Sequence, residues 1–303
     1  MVDNTLDENI SSIQIRDLAF GYKGPLFERF NAQISAPGVY GLFGRNGTGK
    51  STLLKLLSGL LTPSSGEISV RGFTPRQRAA EFLSQIYLLP EEFHLPDLKP
   101  EALKRNQGVF YPNFDAQLFQ DYLTELQVPP DQRFSQMSLG QKKKATIAFA
   151  LATLTPVLLM DEPTNGLDIV SRAQFKRLMQ RPEQAKRTVL ISTHQAHDLE
   201  SIIKHIWFVE GGVLSLSTSM HMLGQHLAMG VADSAAELPA PEALLYTEAI
   251  GAQMAWVARR DALRADFPAT PLQLELIYKA LSLNPEKVLS AVHDNPTSAE
   301  VTQ

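Results

Sequence analysis

An α/β protein built on a mostly parallel sheet is the fold class this sequence predicts, on three observations. Short apolar runs, "GVYGLF" (38–43), "IYLL" (86–89), "VLLM" (157–160) and "TVLIS" (188–192), are continuous rather than alternating, which marks strands buried on both faces. Helix-length segments separate them, as parallel crossovers require. The first run also opens straight into a glycine-rich loop and then the helix-forming "KSTLLKLLSGL".

The elements follow in order. Residues 12–20, "SIQIRDLAF", alternate as an edge strand, and 27–35, "FERFNAQIS", read as its neighbour. "GEISVRGF" (66–73) returns as a strand after the turn "TPSSG", and a helix is expected at 75–84. Residues 91–136 are interrupted by prolines, with helices predicted near 100–106 and 115–126. They read as an inserted helical lobe that runs on through a helix at 139–153, so the lobe spans about 91–153. Helices at 170–180 and 196–204 alternate with the strands at 188–192 and "IWFV" (206–209). These elements place the main domain at 12–218.

Beyond 219 the pattern fades. "ADSAAELPAPEAL" (232–244) is linker-like, and "PLQLELIYKALS" (271–282) predicts a helix opening on proline with one apolar face. Residues 219–289 are therefore read as a small accessory region suited to packing or dimerisation, and 290–303 as a disordered tail.

Bulk composition narrows the function. With 303 residues, 44% of them apolar, the chain can bury a large core. A net charge of -4 argues against nucleic acid as a partner. No cysteine is present, which excludes disulfides and thiolate metal sites. The start, "MVDNTLDENI", lacks the apolar stretch of a secretory signal. No apolar run is long enough to cross a bilayer. A soluble chain is expected, reaching any membrane through a partner.

"GRNGTGKST", Gly44 to Thr52, carries the chemistry. It matches G-x-x-x-x-G-K-[ST] between a strand and a helix, the setting of a phosphate-binding loop. Gly44, Gly47 and Gly49 let successive backbone N–H groups turn toward one anion, along with those of Arg45, Asn46 and Thr48. Lys50 supplies a point charge to the β and γ phosphates. Ser51 offers a hydroxyl to Mg²⁺, and Thr52 one to the α phosphate. A nucleoside triphosphate is the implied ligand.

A second segment, "PVLLMDEPTNGLD" (156–168), ends a buried strand on two carboxylates. Side chains alternate along a strand, so Asp161 and Glu162 point differently. One can hold Mg²⁺ while the other orients or deprotonates water. A third, "MSLGQKKK" (137–144), has Ser138 and Gln141 at capping-box spacing ahead of an apolar helix. Such a helix start attracts anions. Lys142 to Lys144 read as a solvated helix face.

In order and spacing, "GRNGTGKST", "MSLGQKKK", "VLLMDEPTNGLD" and "ISTH" resemble the ATP-binding cassette of ABC transporters, over residues 12–218. That resemblance implies a P-loop NTPase core, an antiparallel N-terminal β-subdomain and an inserted helical subdomain. It implies ATP and Mg²⁺ as cofactors, with Tyr22 on adenine and Asp161 as the acidic metal residue. Glu162 is implied as the catalytic base and His194 as the switch on the γ phosphate, beside the catalytic Lys50. Ser138, Gly140 and Gln141 resemble the signature that closes over ATP held by a second cassette, identical or not, and Asn165–Asp168 the loop that crosses to it. Integral membrane subunits follow as partners, with the chain peripheral on the cytoplasmic face of the membrane.

Three positions, two of them in the signature, depart from the family pattern. Leu139 stands where the signature has glycine, and Met137 where it has leucine. Glu91 stands where many cassettes have glutamine; it can still face the metal, and it resembles exporter cassettes whose membrane subunits are separate chains. Two other functions fit the phosphate loop. A cassette ATPase of translation or DNA repair would carry two cassettes or a long coiled-coil insertion, and a kinase would need a phosphate acceptor.

Overall fold

The computed structural model describes residues 12–293. They divide into two compact units, one reaching to His194 and including Phe208–Leu214, the other holding Gln195–Trp207 and the chain from Ser215 onward.

In the first unit, β1 (Ile13–Gly21), β2 (Pro25–Ile34), β3 (Gly38–Phe43), α1 (Lys50–Leu57) and β4 (Ser65–Val70) follow one another. Strands β2-β1-β4 form an antiparallel sheet. Ile13, Ile15, Phe27, Phe30 and Ile68 are buried in it, and Phe27 and Phe30, three residues apart, are both buried across an irregularity in the β1–β2 register. The predicted helix at 75–84 is a 3₁₀ turn at Pro75–Gln77 followed by the single-turn α2 (Ala80–Leu83). Arg78 breaks it with a left-handed backbone, φ 50°.

Next come β5 (Ile86–Leu89), α3 (Pro100–Gln107), α4 (Ala116–Glu125), α5 (Leu139–Ala152), β6 (Val157–Asp161), α6 (Ile169–Met179) and β7 (Thr188–Ser192). Strands β5, β6, β7 and β3 pair in that order, all parallel. Residues 157–161 and 188–192 are buried throughout, as continuous apolar strands should be. The chain then passes through α7 (Ala196–Leu199), β8 (His205–Glu210) and β9 (Val213–Ser219), and the sheet order becomes β5-β6-β7-β3-β8-β9.

The helical lobe is held to β5 by rings. Phe149 of α5 stands 5.7 Å from Tyr87 and 5.3 Å from Phe114, centroid to centroid, distances typical of favourable aromatic pairs. Asp115 caps α4 by accepting from the N–H groups of Gln117 and Leu118. At the far end of α5 the buried Arg187 guanidinium donates to the carbonyls of Leu151 and Thr155, satisfying acceptors that a helix end leaves open.

The second unit departs most from expectation. Instead of a faded pattern it holds α8 (Met220–His226), β10 (Leu227–Ala232), β11 (Leu244–Ile250) and β12 (Gln253–Arg259). The strands form an antiparallel sheet in the order β10-β12-β11. Trp256 centres its core with Ala228, Ala232, Ala243 and Ala258. Gly230 pairs with Trp256, and a Cβ there would come within 2.5 Å of the indole, so the ring lies directly over bare backbone.

The helix expected from 271 starts later, as α9 (Leu274–Leu283). Pro271 lies before it, and the Leu274 N–H is taken by Glu200 Oε1 at 3.2 Å. A further helix, α10 (Pro285–His293), follows. Residues 290–293 are therefore helical rather than tail, and the remainder of the expected tail lies outside the described residues.

Candidate nucleotide site

Strand β3 delivers the chain into the 44–49 loop, and α1 begins at Lys50. Gly49 caps α1 with φ 97°, a conformation that costs any L-residue with a Cβ. A Cβ there would also stand 2.6 Å from the Phe27 ring. The Lys50 ammonium is buried and donates to the carbonyls of Gly44 at 2.7 Å and Arg45 at 3.1 Å, which draws the loop around it. Burial holds Lys50 below the ordinary lysine range, while the Glu162, Asp161 and Glu91 carboxylates oppose the shift.

The ends of β6 and β7 supply the acids. The Ser192 hydroxyl donates to Asp161 Oδ1, fixing that carboxylate at the strand end. Glu162 has φ 45°, a left-handed conformation rare outside glycine and typical of functional sites. Its N–H is taken by Ser192, through the carbonyl at 3.1 Å and the hydroxyl at 3.2 Å. His194 Nδ1–H donates to Glu162 Oε1 at 2.8 Å, since an ionised carboxylate only accepts.

Tyr22, Leu26, Asn46, Gly47, Gly49, Lys50, Ser51, Thr52, Glu91, Asp161, Glu162 and His194 line one open cleft of about 540 Å³. Residues separated by up to 172 positions (194 - 22) meet there. The Tyr22 hydroxyl lies 3.4 Å from that of Thr52, and the residue is 66% exposed, with the Phe20 ring perpendicular to its own at 5.1 Å. Arg45 and Thr48 line a neighbouring recess with Glu28 and Glu210, and the Gly44 carbonyl faces Lys50 rather than the cleft.

Ser138, Gly140 and Gln141 are not brought to this cleft. They form the start of α5, where Gln141 N–H donates to Ser138 Oγ at 3.2 Å and Ser138 N–H to Gln141 Oε1 at 2.9 Å, a complete capping box. Leu139 beside them is 73% exposed.

The donors present fit Mg²⁺. Ser51 and Asp161 offer hard oxygen ligands in the same cleft, and Glu91 a third. Among the described residues no cluster of three acidic or histidine side chains could hold a metal unaided. That suits an ion which leans on phosphates and water beside one or two carboxylates.

Two features escaped the sequence reading. Lys143 is not part of a solvated face: it is 4% exposed. Its Nζ donates to the Glu162 carbonyl at 3.0 Å and the Glu91 carbonyl at 3.3 Å. The signal was available, because Lys143 lies three and four residues before Thr146 and Ile147, on the helix face that is buried. Ser192 was passed over as one more strand residue. Glu91 also has a second partner, since Asn165 Nδ2 donates to its Oε1 at 2.8 Å.

The family description "ABC transporter" matches residues 27–165. The thiamine import ATP-binding protein ThiQ of Aliivibrio fischeri is 31% identical over 210 residues, 65% of this chain and 86% of that protein. The chain belongs to the ATP-binding subunits of ABC transporters. The ABC transporter ATP-binding protein YtrB of Bacillus subtilis is 27% identical over 206 residues, 67% of this chain and 70% of its own length. Three further relatives are matched over 53–63% of their length, less than two thirds. A solved structure described as the ATP-binding subunit of an ABC transporter superposes with a TM-score of 0.63 at 24% identity, covering 70% of this chain and 91% of that one. It shares the fold. Membership makes the chain an ATPase subunit that binds ATP, dimerises and serves membrane transporter partners. Transport, rather than translation, repair or phosphorylation of an acceptor, is the function of this family.

Proposed function

We propose that this ABC subunit powers transport by closing two cassettes around two ATP molecules and hydrolysing them at composite sites. The observation that carries the reading is the Glu162 carboxylate, held by His194 at 2.8 Å in the same cleft as Lys50 and Asp161. A positioned carboxylate beside a phosphate loop suits water attack.

Lys50, with the backbone N–H groups of 44–49, holds the β and γ phosphates, and Tyr22 stacks on adenine. Ser51, Asp161 and Glu91 would hold Mg²⁺. The ion neutralises phosphate charge when bound. Glu162 accepts a proton from water as the oxygen attacks the γ phosphorus. The bond to the β–γ bridging oxygen breaks, and ADP leaves with that electron pair. His194 keeps the Glu162 carboxylate aimed and its Nδ1 proton on its own ring.

Ser138, Gly140 and Gln141 serve the partner's ATP rather than their own. Their distance from the cleft lining and the outward start of α5 support that role, because a helix N-terminus attracts phosphate. Asn165–Asp168 forms the loop that crosses to the second cassette. Binding energy released on closure drives the transporter.

The membrane partner docks at a groove of about 640 Å³ that includes Leu60, Leu83, Val109 and Phe110. Phe110 and Val109 are 69% and 73% exposed, and such an apolar opening favours a protein partner. The subunit then works on the cytoplasmic face of the membrane. Glu91 supports the exporter type with separate membrane subunits. Residues 219–289 act as an accessory dimerisation region, supported by exposed Val231, Ile250 and Leu283.

The test is Glu162→Gln. ATP binding is retained, hydrolysis falls roughly 10²–10⁴-fold, and an ATP-bound dimer accumulates. Wild-type hydrolysis by this variant would overturn the reading.

A further inference from the structure

We infer that Lys143 is a positioning residue that ties the signature helix α5 to the catalytic base. The inference rests on Glu162 being that base. It starts from an oddity of burial: a lysine at 4% exposure is rarely tolerated unless its ammonium is fully used. Here Nζ is shared between two carbonyls, Glu162 at 3.0 Å and Glu91 at 3.3 Å. Those residues leave the ends of two neighbouring parallel strands, β6 and β5. Nζ also lies over the Phe93 ring, 6.0 Å from its centroid.

The consequence falls on Glu162. Its left-handed backbone, φ 45°, persists only where the surroundings over-determine it. Ser192 holds its N–H, and Lys143 holds its C=O at 3.0 Å together with the Asn165 N–H at 3.2 Å. Both polar ends of the residue are therefore clamped, which sets the direction from which the carboxylate reaches His194.

The two clamps differ in kind. Ser192 belongs to the strand next to β6, a rigid neighbour. Lys143 lies five residues after Ser138 on α5, the helix whose start meets the partner's ATP. Displacement of α5 moves Nζ, and with it the Glu162 and Glu91 carbonyls. Lys143 thus makes base alignment respond to whether the trans site is engaged. An apolar residue or glutamine of similar length fills the space but cannot bridge both carbonyls with a charge-assisted bond.

Steady-state ATPase assays on the full chain test this with Lys143→Met, Lys143→Arg and Glu162→Gln side by side. Lys143→Met is expected to lower kcat roughly 10–100-fold, the scale of a misplaced catalytic group, with KM for ATP nearly unchanged. Lys143→Arg restores most of the rate. If Lys143→Met does not fold, Lys143→Gln replaces it, with lowered kcat at constant KM again expected. Wild-type kcat in the folded Met or Gln variant, or KM rising in step with the loss, overturns the positioning role. Should Glu162→Gln turn over normally, the base assignment itself fails, whatever Lys143 does.

Discussion

His194 Nδ1 and Glu162 Oε1 are 2.8 Å apart, and the two side chains differ sharply in exposure, 42% against 10%. The Glu162 carboxylate, proposed as the base, is thus sheltered, while the His194 ring is open to solvent. His194→Ala should leave ATP affinity intact and cut turnover roughly 10–100-fold, as expected when a base loses its orienting partner. Equilibrium ATP titration beside a phosphate-release assay separates the two effects. A variant with unchanged turnover would show that the pair is structural.

Gly49→Ala tests the phosphate loop without touching a charge. Alanine must adopt φ near 97° and place its Cβ 2.6 Å from Phe27. Backbone strain and overpacking together should cost about 2–4 kcal/mol. Urea unfolding would register the loss, and ATP binding should weaken because the loop no longer turns its N–H groups inward. Wild-type stability with wild-type binding would contradict the role given to Gly49.

How far the sequence alone reached can be judged from particular residues. Strands at 157–161 and 188–192 were legible because burial on both faces demands unbroken apolar runs. Gly44 to Thr52 was legible because a glycine loop between strand and helix leaves few other uses. Ser138 and Gln141 were read as a capping box, and the structure closes it on both sides. The β10-β12-β11 sheet was not legible. Its strands "LAMGVA" and "QMAWVAR" rest on alanines packed around Trp256, and alanine carries little strand preference of its own. Lys143 was misread because three adjacent lysines suggest solvent, whereas a helix turns about 100° per residue and sends one of them inward. Pro271 suggested a helix start by its fixed φ, yet Gln273 is still extended and α9 begins only at Leu274.

The central claim is that each ATP site needs both chains, because Ser138 and its capped helix lie away from the cleft that holds Lys50. ATP turnover per chain, measured against chain concentration down to where light scattering or mass photometry finds only single chains, tests it most directly. The composite site predicts that turnover per chain collapses on dilution and returns on concentration. Full turnover by isolated single chains would contradict it.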